Sequence, residues 1–296
     1  MSATAKLATY AVVLVAALGA GATVGAVAGP IDVGGTGDHG TDQHGTGPAG
    51  TGAASAVSLP AAGLQVAQAG YAFVPEDRVA DPGPFEFQIT GPDGMPVEEF
   101  DELHERELHF ILASRDLGQF AHLHPTRHGG RWTVDLPRLP AGAYRAFADF
   151  QPADHDQLTL GVDLQVPGTV EVTDPLEPVA TDHVDGFDVS LDRAADGDEV
   201  TVTVRRNGEL VTTQPYLGAA GHLVALRDGD LAYLHVHPLD DEPGGPTRFA
   251  VEVPSPGTYA LFFDFRVDDV VRTAHFVIDT TDPSPASEGD AEHGDH

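Results

Sequence analysis

The sequence predicts an all-β chain of two tandem sandwich domains, and three observations carry that prediction. The pattern His-x12-His-x-His-Pro occurs twice, at 109–125 and again at 222–238. Downstream of each copy, Pro140-Ala141-Gly142-Ala143-Tyr144 matches Ser255-Pro256-Gly257-Thr258-Tyr259, and both run on to an Asp-Phe pair, Asp149-Phe150 and Asp264-Phe265. Upstream, Phe85-Glu86-Phe87-Gln88-Ile89 and Val200-Thr201-Val202-Thr203-Val204 alternate with the period of a strand. They lead to Asp93-Gly94 and Asn207-Gly208, dipeptides that favour tight hairpins. No window of either copy carries a 3.6-residue period.

Residues 1–28 are expected to be a signal peptide or membrane anchor. Leu7 to Ala28 is an uncharged helical stretch of 22 residues, and about 20 suffice to cross a bilayer. Ala26-Val27-Ala28 also fits a signal-peptidase site. Either outcome places the rest of the chain in the cell envelope, membrane-anchored with extracytoplasmic domains, or secreted. Residues 29–58, rich in Gly, Thr and Ala, have too little apolar bulk to offset the entropy of ordering and read as a flexible linker.

The two repeats follow at 59–168 and 169–280. In each, the tyrosine after Pro-x-Gly or Pro-Gly fits the tyrosine corner of immunoglobulin-like sandwiches, where the phenol bonds back across a strand corner. Each repeat is therefore expected to be an immunoglobulin-like sandwich of the seven-strand type. Domains near this size bury roughly two-thirds of their unfolded surface. Neither needs a disulfide, and there is no cysteine to make one. Residues 281–296 form an acidic tail carrying His293 and His296.

With 46 acidic and 15 basic residues the net charge is −31, which repels nucleic-acid phosphates and favours cations. Nucleic-acid binding is set aside on that ground. The absence of cysteine removes thiolate metal sites and cysteine nucleophiles. Two methionines cannot build a soft copper(I) cluster, whereas 15 histidines leave imidazole sites open.

The histidine spacing suggests how those rings converge. Arg227-Asp228-Gly229-Asp230 reads as a two-residue hairpin turn, which sets His222 opposite His235, with His237 two residues along on the same face. The first copy gives His109, His122 and His124 in the same way, with ring nitrogens expected within about 4 Å of one another. A lone buried histidine is more often a satisfied core residue than a ligand. Three at matched spacing, twice, need many hydrogen-bond partners unless an ion takes them. His104, Glu105 and Asp149 are candidate extra ligands in the first copy, Asp264 and His275 in the second. Asp149 and Asp264 are equally candidates for acceptors that orient a ligand ring.

The pattern His-x12-His-x-His-Pro followed by Pro-x-Gly-x-Tyr-x-x-Phe-x-Asp-Phe is similar to bacterial exported or membrane-anchored heavy-metal-binding sandwiches of the YtkA-like and copper-resistance-like kind. Leu103-His104-Glu105 and the run from Gln214 to His222 share in that resemblance, which covers most of 64–280. It implies an envelope location and metal handling. The expected function is copper or zinc binding for buffering, delivery to an envelope transport partner, or resistance. Two other readings stay open: a structural or partner-binding sandwich without metal, and a three-histidine metalloenzyme that activates water or oxygen.

Overall fold

Alternating burial along the chain builds sheets with one face inward, and in two places with both faces covered. The computed structural model describes residues 61–194, 197, 199–234, 236–239, 245–251, 253 and 255–281. The expected N-terminal helix, the linker and the acidic tail fall outside the described residues. Among those described there is no helix, and none long and apolar enough to cross a membrane.

The first repeat has ten strands: β1 (Ala67–Gln68), β2 (Tyr71–Pro75), β3 (Gly83–Thr90), β4 (Phe100–Asp101), β5 (Leu108–Ser114), β6 (Phe120–Leu123), β7 (Thr126–His128), β8 (Arg131–Leu136), β9 (Gly142–Pro152) and β10 (Leu158–Val166). The outer sheet runs β1-β2-β3-β8-β7 and the inner sheet β10-β9-β5-β6, with β4 on β9. Phe73, Phe87, Phe110, Trp132 and Phe150 fill the space between them.

The second repeat follows the same plan with β11 (Thr181–Val184), β12 (Phe187–Arg193), β13 (Glu199–Arg206), β14 (Glu209–Leu210), β15 (His222–Arg227), β16 (Tyr233–Leu234), β17 (Val236–Pro238), β18 (Thr247–Val251), β19 (Thr258–Val267) and β20 (Val270–Asp279). Its outer sheet runs β11-β12-β13-β18-β17, with β14 on β13, and its inner sheet β16-β15-β19-β20. Phe187, Phe249, Phe263 and Phe265 fill this core. Both tyrosine corners form: Tyr144 donates to the Pro140 carbonyl at 2.9 Å and Tyr259 to the Ser255 carbonyl at 2.8 Å.

A third apolar layer joins the repeats. β5 is buried at every residue and β15 at all but Arg227, so both faces of each strand are covered. Phe110 and Leu112 point into their own sandwich, whereas Ile111 and Ala113 pack with Val224, Leu226, Tyr233, Ala260 and Phe262 of the second repeat. Phe120 stacks on Phe262 with centroids 4.1 Å apart. The two inner sheets thus pack face to face, and the four sheets lie as successive layers.

The hairpins differ from the expected register. Arg227 N–H donates to the Ala232 carbonyl, and Ala225 pairs with Leu234, so the loop has four residues rather than two. Leu231 causes this by burying completely in the layer between the repeats, with φ at 60°, while Asp230 accepts from Ala232 N–H and pairs with Arg227. The first copy matches: Ser114 N–H donates to Gln119, and His122 pairs with Ile111 instead of facing His109. A shift of two residues keeps every side chain on its face. In the first copy His109, His122 and His124 therefore still gather on one side.

Candidate metal centre

Strand alternation turns His109 and His122 outward from the first core, onto the face that the second repeat covers. His109 stands opposite Asp149 on β9, and His222 opposite Asp264 on β19. All four are on the paired inner sheets, and His109 and Asp264 are only 1% and 2% exposed. The rings gather closely: His109 lies 5.2 Å from His122, 5.3 Å from His124 and 5.4 Å from His222, centroid to centroid. His122 lies 4.9 Å from His124 and 4.8 Å from His222.

The hydrogen bonds fix the tautomers of two rings. His109 Nε2 donates to the Leu103 carbonyl at 2.9 Å, which leaves Nδ1 with a lone pair. His122 Nδ1 donates to Asp264 Oδ2 at 2.7 Å, which leaves Nε2 with a lone pair. These two remaining atoms, His109 Nδ1 and His122 Nε2, are 3.0 Å apart. Neutral rings would set two acceptors against each other there, so a cation, either a proton or a metal ion, belongs between them. One ion about 2.0 Å from each nitrogen spans such a gap. His124 Nε2 and His222 Nδ1 are buried with no hydrogen-bond partner. The donor set thus fits an imidazole-seeking ion.

Two convergent groups result. In the first, ligand atoms of His109, His122 and His124 lie within 4.8 Å of one another. In the second, His122 is shared with His222 and Asp264, so the second repeat contributes to the same centre. Burial, reinforced by the charge of His122, lowers His109 and His124 to about 3 and holds His222 well below the usual imidazole range. Those three rings are neutral, ligand-competent bases at neutral pH.

The remaining candidates fall in different places. His104, at φ 47° on a tight turn, brings its ring 5.4 Å from His222 and 6.1 Å from His109. Glu105, next on that turn and exposed, lies against Gly218 of the second repeat. Asp149 accepts from Thr159 and Gln157. His275 stacks on Phe262 at 4.7 Å and is in neither convergent group. His235 lies outside the described residues, as does the side chain of His237, so the expected trio on the second hairpin rests on sequence alone. The backbone here departs from that expectation: β15–β16 pairing ends at Leu234, and His237 pairs with Ala250 in the outer sheet. The chain leaves the inner sheet earlier than in the first copy, where β6 continues to Leu123.

The sequence left open whether each repeat holds its own site or the two share one, a question on which the position of His222 beside the first trio bears, and it did not single out Tyr216 as a site residue. The Tyr216 ring is 6.4 Å from His124, and burial, with the Asp264 charge, raises its phenol to about 12. A signal was present: Phe110-Ile111-Leu112-Ala113 and Leu223-Val224-Ala225-Leu226 are unbroken apolar runs, as strands covered on both faces require.

Fold and cluster together define a pair of tandem immunoglobulin-like β-sandwiches with a buried histidine centre where their inner sheets meet. Residues 71–168 and 182–282 match the Domain of unknown function (DUF8832), and the chain belongs to that family, with the domain present twice. No curated protein matches. Among solved structures, the chain is similar to a two fibronectin type-III domain segment from chicken tenascin, at 12% identity over 70% of this chain and 99% of that one, TM-score 0.22. A marsupial T cell receptor matches at 11% identity over 76% and 99%, TM-score 0.22. A biofilm associated protein, BSP domain, matches at 9% identity over 70% and 29%, TM-score 0.20.

Proposed function

We propose that this protein binds a divalent transition metal, copper(II) or zinc(II), in the cell envelope, for buffering, delivery or resistance. The 3.0 Å approach of His109 Nδ1 to His122 Nε2, each with its other nitrogen already donating, carries the reading. His124 supplies the third imidazole, and Asp264 orients His122 from behind as carboxylates do for metal-bound histidines. Borderline nitrogen donors suit copper(II), zinc and nickel rather than calcium or magnesium. The −31 charge raises the local concentration of cations, and the apolar N-terminal stretch supports export. The similarity of the His-x12-His-x-His-Pro pattern to heavy-metal-binding envelope sandwiches points the same way.

The test is the metal content of the full chain purified without a histidine tag, followed by titration with copper(II) and zinc(II). About one tightly held equivalent is expected. A chain that stays empty at micromolar metal ends the proposal. Substituting His122 and His124 separates it from a purely structural role. Metal binding predicts that the loss of stability is much larger in metal-loaded buffer than in chelator; equal losses favour the structural sandwich.

A further inference from the structure

We infer that His222 is a ligand of the same ion, so that the metal clasps the two sandwich domains together. This rests on the metal-binding reading above and extends it from a site in one domain to a joint between two. His222 comes from β15 of the second repeat, yet its ring is 4.8 Å from His122 and 5.4 Å from His109 of the first. It is 9% exposed, and its Nδ1 has no hydrogen-bond partner. Its register partner Asp264 reaches across to His122 Nδ1 at 2.7 Å, so the second repeat also sets the tautomer of a first-repeat ligand. Neither domain alone holds the full donor set.

The energetics follow from what lies between the inner sheets. One end of the interface is apolar: Ile111, Ala113, Phe147, Val224, Leu226 and Phe262 close against one another without unmet polar demand. The other end is the histidine cluster, where apposition buries His124 Nε2 and His222 Nδ1 unpartnered. Burying polar nitrogens without partners opposes closure. Filling those lone pairs with one cation turns the opposing end into an attractive one. Ion binding and domain apposition then become linked equilibria, each strengthening the other by the same factor.

The experiment uses the full chain with zinc(II) as a redox-silent probe, comparing wild type with His222→Ala, and with the nearly isosteric His222→Gln should the alanine variant fold poorly. Trp132, the one tryptophan and buried in the first core, reports the first domain. Hydrogen exchange of β12 and β13 reports the second. In the wild type, zinc should raise protection in both domains. In the variant, zinc affinity should fall at least tenfold and any remaining gain should be confined to the first domain. Wild-type affinity in the variant, or undiminished zinc protection of β12 and β13, overturns the clasp while leaving the metal site standing. Absence of zinc and copper binding in the wild type overturns both.

Discussion

Acid should unfold the metal-free protein earlier than its carboxylates alone require, because buried histidines must stay neutral for the domains to close. His109 and His124 fall from the ordinary 6.5 to about 3, chiefly through burial and then through the charge of His122. An unfolded chain binds a proton at each position below about pH 6.5, and the folded one does not until about pH 3. Stability therefore rises with pH across that window. It is complete above pH 6.5 and drains away as the pH falls toward 3. Each histidine contributes a slope of up to about 1.4 kcal/mol per pH unit. For fully buried His109, passing from pH 7.5 to 5 costs about 2 kcal/mol. Half-buried His124 contributes less because water screens it, for a total of about 3 kcal/mol. His222 adds in the same direction.

The assay is urea unfolding in chelator, followed by Trp132 fluorescence and repeated between pH 7.5 and 5. A stability of 5–15 kcal/mol makes a change of about 3 easy to read. His109→Gln removes one titrating group and should flatten the slope by roughly 1 kcal/mol per pH unit. A wild-type stability that does not change across this range, or a slope that the substitution leaves intact, refutes the burial of neutral imidazoles.

Three further outcomes are expected. Asp264→Asn deprives His122 of its carboxylate acceptor and should weaken metal binding 10- to 100-fold, measured by chelator competition, with the fold retained in circular dichroism. Tyr144→Phe and Tyr259→Phe each remove one corner hydrogen bond and should each cost about 1 kcal/mol in urea unfolding, independently of metal. Phe262→Ala empties the stack between Phe120 and His275, 4.1 and 4.7 Å away, and should cost about 3–5 kcal/mol by thermal unfolding.

The sandwich architecture was legible because its signals are local. Period-two runs at 85–89 and 200–204 became β3 and β13, and the two repeated tyrosines became corners. Hairpin length was not legible, because a non-local contact decides it. Asp228-Gly229 favours a two-residue turn, but burying Leu231 against the other domain outweighs that preference and opens a four-residue loop. The gathering of His109, His122 and His124 survived the error because a two-residue shift preserves the face. His222 was assigned to a hairpin of its own for a different reason: spacing within a copy says nothing about which surface the copy meets. Only the doubly apolar runs of β5 and β15 hinted that each inner sheet has a partner.

Duplication also explains why two copies of a motif yield a shared centre. The inner sheets meet through equivalent faces, β5 and β9 of one against β15 and β19 of the other, as in a self-complementary dimer interface. In such contacts a residue near the local two-fold meets its own counterpart, and His109 and His222 do so, stacked at 22°. The surroundings then break the symmetry. The tight turns at 103–106 and 216–219 share left-handed backbone at their centres, yet one carries His104 and Glu105 where the other carries Leu217 and Gly218. Polar side chains accompany the first repeat's turn, and a buried Leu217 accompanies the second's. One ion per chain is therefore expected at this interface from ratio measurements, and the titration should bend at a single equivalent. Two equal, independent equivalents, of which His122→Ala removes only one, would contradict a shared centre, since they would require two complete ligand sets where the geometry supplies overlapping ones that both include His122.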